Sequence, residues 1–463
     1  MTKQFAITSI DVDLPRLGHR QLNFAEPADN QSRSTILVGR NGTGKSTILR
    51  ELAMAFRAYF ATSNPGSRHG RDRVNTITIS ANGRQATLNL KSSSKDFREE
   101  RDQMSSHDLR PRRLIALSFT PFDKFPSADD TAQTERSGRP ITDDPFYVYL
   151  GFKSDYRAMS PRSRLLRSID QLAFTLSKDE AEGRVVEAFA AIGYAPLLTI
   201  SYALSSVAGS KDYRRSDDPR LLSLIAEVNE HIAATSDGPR RLSHTINFQS
   251  GESDFLPVSY ADIRELLRAR FLRLVSVTLN SLAGEKVELL ELSSGELNLL
   301  SGFLGLAAFL TDGCLVLVDE PENSLHPEWQ IRYVEMLEKV VSQYRGCHYV
   351  IATHAPLIVS GVADKNTKIL RLDQEPIEVP SSVVSDASPD ATLLTAFEVV
   401  TPGNNFLKQL VLEAMALVED GKHRGHRARS IATFLARTVD QIPKDDPLRA
   451  LVVNIIQSIL LQP

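Results

Sequence analysis

The stretch Gly39-Arg40-Asn41-Gly42-Thr43-Gly44-Lys45-Ser46 decides the fold, because it joins two segments of different periodicity. Before it, residues 34–38 form a short apolar run that is typical of a buried strand. After it, apolar residues between Ile48 and Phe56 recur at helical spacing. The sequence therefore predicts a strand, a glycine-rich loop and a helix, which is the context in which G-x-x-x-x-G-K-[ST] binds phosphate.

The glycines of this loop allow successive backbone N–H groups to turn inward around an anion, and the following helix adds partial positive charge at its N-terminus. We expect Lys45 to reach the β- and γ-phosphates of ATP, Ser46 to ligate Mg²⁺ and Thr47 to donate to the α-phosphate. The residues of this stretch that are predicted to bind nucleotide are Asn41, Gly42, Thr43, Gly44, Lys45, Ser46 and Thr47.

Two further groups follow apolar, strand-like runs in the second half of the chain. The run 314–318 ends at Asp319-Glu320, and the run 349–353 is followed by His354. We predict that Asp319 holds Mg²⁺ through water and that Glu320 polarises the attacking water as general base. We predict that His354 hydrogen-bonds the γ-phosphate. Taken alone, each residue has an ordinary structural explanation, and the phosphate loop upstream favours the catalytic one.

The sequence Leu292-Ser293-Ser294-Gly295-Glu296 opens a long apolar helix. Ser293 and Glu296 have the spacing of a capping box, which by itself explains the pattern. A helix N-terminus with a hydroxyl at Ser294 and no side chain at Gly295 also suits the γ-phosphate. The nucleotide contacts predicted here are Ser294, Gly295 and Glu296.

The bulk composition limits the function classes. A length of 463 residues allows roughly two to four domain-sized units. A net charge of −3 gives no global attraction to nucleic acid, although basic clusters occur near Arg110 and Arg157. Two cysteines, Cys314 and Cys347, exclude a disulfide framework and fit a reducing cytoplasm. No apolar run approaches the ~18 residues that span a bilayer, so we predict a soluble cytoplasmic protein without a membrane partner.

The fold class predicted is α/β, with a P-loop ATPase core of mixed sheet and an antiparallel β subdomain. Residues 1–125 form its first lobe, including a hairpin around Asn82-Gly83. Residues 126–284 are predicted to be a mainly helical insertion. Residues 285–380 form the second lobe, and residues 381–463 form a region of three helices for oligomerisation or partner docking. Helical spacing within the insertion is found at Leu165, Ile169, Leu172 and Phe174, and at Leu221, Leu224, Ile225 and Val228.

In their order, the phosphate loop, residues 292–296, the acidic pair and His354 resemble the motifs of ABC-type ATPases over residues 1–125 and 281–370. The stretch Pro321-Glu322-Asn323-Ser324-Leu325-His326-Pro327 is similar to the soluble repair, SMC-like and overcoming-lysogenisation branch of these AAA-family proteins. The resemblance implies that the 292–296 signature serves nucleotide bound by the other protomer. A head-to-tail dimer would then enclose two ATP molecules.

The chain departs from that family after the apolar run 114–119. A Mg²⁺-contacting glutamine is expected there, and the sequence reads Thr120-Pro121-Phe122-Asp123-Lys124-Phe125. Asp123 is the candidate replacement as a metal ligand. The stretch from Thr120 to Phe125, together with a helical tail in place of a nuclease domain, resembles the PtuA ATPases of Septu anti-phage systems. This resemblance implies a separate partner, typically a nuclease such as an HNH protein.

Two alternatives remain beside an ATPase whose dimer or higher oligomer regulates an effector nuclease. A DNA-tethering or repair ATPase would grip nucleic acid itself through the basic clusters, and its binding would depend on salt. The absence of sustained heptads argues against the chromosome-tethering form. The energising subunit of a transporter is the second alternative, against which the stretch after Glu320 and the missing glutamine argue. In the nuclease-regulating prediction, nucleic acid is reached through the partner.

Overall fold

The computed structural model describes residues 4–14, 18–24, 31–60, 73–91, 109–120, 122–126, 146–151, 169, 185–204, 219–235, 241–250, 252, 258–269, 271–289, 291–362, 366–372, 377–379, 388–397, 399–401, 404–444 and 446–460. Its strands in chain order are β1 Phe5–Leu14, β2 Gly18–Asn23, β3 Arg33–Val38, β4 Val74–Ala81, β5 Arg84–Asn89, β6 Leu114–Ser118, β7 Tyr147–Leu150, β8 Tyr194–Leu204, β9 Leu242–Asn247, β10 Leu272–Ser281, β11 Lys286–Glu288, β12 Leu315–Asp319, β13 His348–Thr353, β14 Thr367–Arg371 and β15 Ile377–Val379. Its α-helices are α1 Lys45–Phe60, α2 Val186–Ala191, α3 Pro219–Thr235, α4 Tyr260–Arg268, α5 Ser294–Phe309, α6 Pro327–Val341, α7 Pro356–Ser360, α8 Pro389–Ala396, α9 Asn405–Glu419, α10 His426–Thr438 and α11 Pro447–Leu460.

A seven-stranded sheet lies at the centre of the described chain, in the order β15-β14-β3-β13-β12-β6-β7. Its neighbours pair in parallel except β15, which is antiparallel to β14. The strands β3, β12 and β13 are buried along their whole length. Parallel strands that are covered on both faces read as continuous apolar runs, which explains why the sequence around them shows no alternation.

The two faces of this sheet carry different layers. Leu317 and Val350 pack in one core with α1 and the strands β1, β2, β4 and β5. Val318 and Ile351, their neighbours in the chain, pack in another core with α5 and α6. Successive side chains of a strand point to opposite faces. The phosphate-loop helix α1 and the signature helix α5 therefore lie on opposite faces of the sheet.

A four-stranded antiparallel sheet, β2-β1-β4-β5, shares its core with α1. The hairpin from β4 to β5 turns at Asn82 and Gly83, whose φ angles are 51° and 77°. Two central residues with positive φ are what a two-residue hairpin turn requires. The structure confirms the predicted hairpin, and with the central sheet it confirms the predicted α/β fold class with an antiparallel subdomain.

The segment 126–284 differs from its prediction. Its described residues contain strands of a second antiparallel sheet, ordered β11-β10-β8-β9, beside the helices α2, α3 and α4. The predicted helical spacing at Leu224 and Val228 does lie in α3. In the described residues of this segment strands and helices are about equally represented, where the sequence predicts a mainly helical insertion. The positions Leu165, Leu172 and Phe174 lie outside the described residues.

The missed strand β8 carries a signal of period two. Leu198, Ile200 and Tyr202 are buried, and the residues between them are partly exposed. This alternation is typical of a half-buried strand. The predicted limits of the insertion also cross sheet contacts, since β7 belongs to the central sheet and β11 pairs with β10.

The described residues of the C-terminal region contain four α-helices, α8 to α11, where the sequence predicts three. The additional break follows Glu419, where α9 ends and Gly421 takes a φ of 69°. Glycine adopts this left-handed conformation without a steric penalty, so it separates α9 from α10. Buried residues such as Leu410, Leu435 and Val452 give this region its own small core. Among the described residues, every helix is too short or too polar to cross a membrane.

Candidate functional site

The predicted site residues meet at the carboxyl ends of the parallel strands. The phosphate loop follows Val38 of β3, His354 follows β13, and Asp319 ends β12. The register pairs Val38 with Thr353 and Asp319 with Ala352, so these ends lie side by side. The carboxyl edge of an open parallel sheet is where α/β proteins bind their ligands. The parallel pairing of the strands therefore brings the phosphate loop and His354, which are more than 300 residues apart in the sequence, to the same edge of the sheet.

The phosphate loop is held in a conformation that needs glycine. Gly42 and Gly44 have φ angles of 85° and 100°. A Cβ atom on Gly44 would also lie 3.0 Å from Cδ2 of Leu14. Thr43 closes the turn, donating from its hydroxyl to the carbonyl of Arg40 at 3.0 Å. Asn41 is exposed at the outside of the loop.

Lys45 begins α1, and its ammonium lies inside the loop. It donates to the carbonyl oxygens of Gly39 at 2.6 Å and Arg40 at 3.0 Å. The residue is only 5% exposed. A buried ammonium that is supported by carbonyl dipoles is placed to exchange them for phosphate oxygens, as the Lys of a phosphate loop does.

Ser46 and Asp319 are the two residues of the central prediction for Mg²⁺. Oδ1 of Asp319 is buried without a hydrogen-bond donor among the described residues. Burial raises the pKa of Asp319 to about 7; the Ser46 side chain acts on the same carboxylate by lowering its pKa, and the charges of Glu320, Asp123 and Glu322 raise it further. A buried carboxylate with an unsatisfied oxygen beside a hydroxyl suits Mg²⁺, which prefers oxygen ligands and usually combines one or two carboxylates with phosphate oxygens.

Glu320 adopts a backbone conformation that is costly for its residue type. Its φ is 49°, a left-handed value that costs an L residue about 1–2 kcal/mol. Two bonds fix it there: its N–H donates to the carbonyl of Ala352 at 2.9 Å, and Asn323 Nδ2 donates to its Oε2 at 3.0 Å. Backbone strain of this kind is concentrated at functional sites, where the surrounding structure holds a side chain in a required position.

His354 is held against both glutamates of the acidic stretch. Its ring Nδ1 lies 2.9 Å from Oε1 of Glu322 and 3.9 Å from Oε1 of Glu320. Its backbone N–H donates to the same oxygen of Glu322 at 2.8 Å. The hydrogen bond to Glu322 is the main cause that raises the pKa of His354 above its ordinary value of 6.5. Sequence reasoning gave Glu322 no role, because only the fold brings it to the end of β13.

The signature sequence forms the predicted capping box. The Ser293 hydroxyl accepts from Glu296 N at 3.2 Å, and the Glu296 carboxylate accepts from Ser293 N at 2.9 Å. Glu296 also accepts from the hydroxyl of Tyr194 at 3.4 Å, which ties the helix to β8. Ser294 is exposed. The absence of a side chain at Gly295 has a local reason too, since a Cβ there would lie 2.7 Å from the carbonyl oxygen of Ser324.

Asp123 and Lys124 follow β6 and have different surroundings. Asp123 is 4% exposed and accepts from Tyr149 Oη at 2.6 Å and from Phe125 N at 2.9 Å. Its predicted role as a metal ligand would compete with these bonds, which hold the loop in place. Lys124, which the sequence left without a role, donates to Thr47 Oγ1 at 3.1 Å. The position of Lys124 could have indicated a role, because it lies in the stretch where the glutamine expected for related ATPases is missing.

The basic clusters are described only in part. Arg110 is exposed near the start of β6, and the cluster around Arg157 lies outside the described residues. In the tail, Arg427 forms a bidentate pair with Glu413 at 2.7 and 2.8 Å. Such pairing neutralises part of the positive charge there, as a solvated helix face would.

A phosphate loop, an acidic pair and a following histidine at the carboxyl edge of a parallel sheet define a P-loop ATPase. The chain belongs to the family described as "AAA domain, putative AbiEii toxin, Type IV TA system", whose model matches residues 34–360, more than half of the chain. Membership of this family indicates ATP hydrolysis in general terms.

Relatives and solved structures give further comparisons. "Retron Ec83 probable ATPase" of Escherichia coli is 24% identical over 471 residues, covering 92% of this chain and 82% of the relative. "Retron Vc95 probable ATPase" of Vibrio cholerae serotype O1 biovar El Tor is 22% identical over 385 residues, covering 74% and 69%. An SMC head bound to the C-winged helix domain of ScpA matches with 13% identity, a TM-score of 0.33, and coverage of 81% of this chain and 98% of that one. The SMC head domain from Thermotoga maritima matches with 12% identity, a TM-score of 0.31, and coverage of 82% and 99%.

Proposed function

We propose that the chain is the Mg²⁺-dependent ATPase subunit of an anti-phage defence complex, in which an ATP-sandwich dimer regulates an effector nuclease. The observation that carries the ATPase part is the convergence of the phosphate loop, the buried Asp319 carboxylate, Glu320 and His354 at one edge of the parallel sheet. The relation to retron ATPases supports the defence setting.

The site residues divide the work of hydrolysis. The loop N–H groups and Lys45 bind the β- and γ-phosphates, and Ser46 with Asp319 would hold Mg²⁺. The metal, when bound, neutralises charge that develops on the phosphates. Glu320 accepts the proton of the attacking water, and its fixed backbone aims the carboxylate at that position. His354 donates from its ring to the γ-phosphate, oriented by Glu322. Asp123 supports the loop beside this metal position.

The dimer follows from the placement of the signature. The helix α5 lies on the face of the sheet opposite α1, and Ser294 is exposed at its N-terminus. This arrangement favours contact of Ser294, Gly295 and Glu296 with nucleotide on a second copy of the chain. The N-terminus of α5 presents N–H groups and partial positive charge to that nucleotide. A head-to-tail dimer, or a higher oligomer built from it, then completes two sites.

The partner is proposed to be a separate nuclease, such as an HNH protein of the Septu type. The C-terminal region, with its own core and an exposed Leu412 on α9, is the proposed docking or oligomerisation region. Closure of the dimer on ATP would alter the surface offered to the partner, and hydrolysis would reverse it.

The test is affinity purification of the tagged chain, expressed with its native neighbouring genes, followed by mass determination with and without ATP. A stoichiometric complex with a nuclease supports the proposal. A chain that purifies without protein partner but retains nucleic acid in a salt-dependent manner would instead favour an ATPase that acts on DNA itself. Co-purification with a membrane protein would favour a transporter subunit.

A further inference from the structure

A cavity lies beside the phosphate loop. It has a volume of about 240 Å³ and is lined by loop residues 42–44 and by Leu14, Thr47, Arg73 and Lys124. Arg73 and Lys124 are the ionisable side chains of this lining, so the cavity carries positive charge. By contrast, Asp319 and Glu320 are not part of its wall. A cavity with this charge suits the part of a nucleotide that does not approach the metal ligands.

Lys124 reaches this cavity from a loop that is fixed on its other side. The carboxylate of Asp123 accepts from Tyr149 on β7 and from the N–H of Phe125, which anchors the residues on either side of Lys124. The Lys124 ammonium then extends to Thr47 Oγ1, 3.1 Å away in the first turn of α1. The anchoring therefore directs a single flexible cation to the hydroxyl that borders the α-phosphate position.

We propose that Lys124 is a nucleotide-binding residue that contacts the α-phosphate from the loop after β6, where related ATPases are expected to carry a glutamine. The proposal rests on the proposed ATP site and adds a chain-specific contact to it. An ammonium offers a point charge with three donors, so it can keep Thr47 as a partner while it binds a phosphate oxygen. A glutamine amide at this position would supply a neutral donor and could reach towards the metal instead.

The α-phosphate is common to ATP and ADP, and this gives the contact a diagnostic signature. Loss of Lys124 should weaken both nucleotides by the same factor, because the β- and γ-phosphates keep Lys45 and the loop N–H groups. A charge-assisted hydrogen bond is worth about 1.5–3 kcal/mol, which corresponds to a loss of about 10- to 150-fold in affinity.

The experiment is a titration of the full chain with fluorescent ATP and ADP analogues, in Mg²⁺, for the wild type, Lys124→Met and Lys124→Arg. Lys339→Met serves as the matched control, because Lys339 is an exposed lysine that pairs with Glu335 on α6. The expected result is an equal loss for ATP and ADP in Lys124→Met, substantial rescue in Lys124→Arg, and wild-type binding in Lys339→Met.

Wild-type affinity of Lys124→Met for both nucleotides would overturn this proposal alone. A loss confined to ATP would also overturn it, since it would place Lys124 at the γ-phosphate. If the wild type itself binds neither nucleotide, the proposed ATPase function fails and the role of Lys124 fails with it. The behaviour of the wild type thus separates the two failures.

Discussion

The ring Nδ1 of His354 lies 2.9 Å from Oε1 of Glu322, and the same oxygen accepts the backbone N–H of His354 at 2.8 Å. One buried carboxylate oxygen thus fixes both the backbone and the ring of the residue after β13. Glu322 is 6% exposed and belongs to the loop that follows the acidic pair. A change in that loop is therefore transmitted directly to the histidine proposed to sense the γ-phosphate.

Glu322→Ala should lower both stability and turnover. Removing the carboxylate leaves the His354 N–H without its acceptor, which costs about 1–3 kcal/mol in the free energy of unfolding. Misplacement of the ring should reduce ATP turnover by about 10- to 100-fold. Denaturant unfolding and phosphate release measure the two effects. Glu335→Ala, which removes an exposed glutamate of α6, is the control, and equal turnover in both variants would contradict a positioning role for Glu322.

Binding of ATP should depend on pH through His354. The hydrogen bond to the Glu322 carboxylate raises the pKa of His354 above 6.5, so the folded protein keeps the ring protonated to a higher pH than the unfolded chain does. The stabilising contact is fully present below pH 6.5 and is lost as the pH rises through the raised pKa. Affinity for an ATP analogue should also fall as the pH rises through the raised pKa of His354. In Glu322→Gln the fall should move to lower pH, and His354→Gln should lack it.

One outcome of this pH series would contradict the role given to His354. If wild type and His354→Gln lose affinity in parallel from pH 6 to 9, then the titrating group is elsewhere and His354 does not contact nucleotide as a cation.

Asp319→Asn should stabilise the metal-free protein while abolishing hydrolysis. Burial raises the pKa of Asp319 from 3.8 to about 7, so the folded state holds a proton that the unfolded state releases near pH 4. Stability of the wild type therefore falls as the pH rises from about 4 to about 7, by at most about 4 kcal/mol from this group. The stability of Asp319→Asn should not show this fall with pH. Unfolding curves at pH 5 and pH 7.5 without Mg²⁺ test it, and a variant less stable than wild type at pH 7.5 would contradict the account.

Much of this site could be predicted from the sequence because its parts are local. The phosphate loop, the capping box at Ser293 and the hairpin at Asn82 each depend on residues within a few positions of one another. The roles of Glu322 and Lys124 depend on contacts with His354 and Thr47, which lie far from them in the sequence, and no local pattern encodes such contacts. The strand β8 alternates Leu198 and Ile200 with partly exposed residues, but it pairs with β10 about 70 residues later, and its sheet emerges only from that pairing.

Mixing two inactive variants tests the composite site. Lys45→Met should lose ATP binding, and Ser294→Arg should retain ATP binding but lose turnover, because it obstructs the surface that meets the second protomer. In a one-to-one mixture, half of the dimers contain one copy of each variant. Each mixed dimer has one site with an intact phosphate loop and an intact signature, and a second site in which both are altered. Turnover should therefore recover to about a quarter of the wild-type rate if the sites are independent. A mixture as inactive as its components would contradict the sandwich dimer.

The central claim is tested most directly by ATP turnover and particle mass in Glu320→Gln beside the wild type. Glutamine keeps the size of the side chain and can retain its contact with Asn323, but it cannot accept the proton of water. We predict that Glu320→Gln binds Mg²⁺ and ATP and accumulates as a dimer when ATP is present. Its rate of ATP hydrolysis should be about one hundredth of the wild-type rate, or lower. Turnover equal to wild type would contradict the assignment of Glu320 as the base, and a mass that stays monomeric with ATP bound would contradict the dimer.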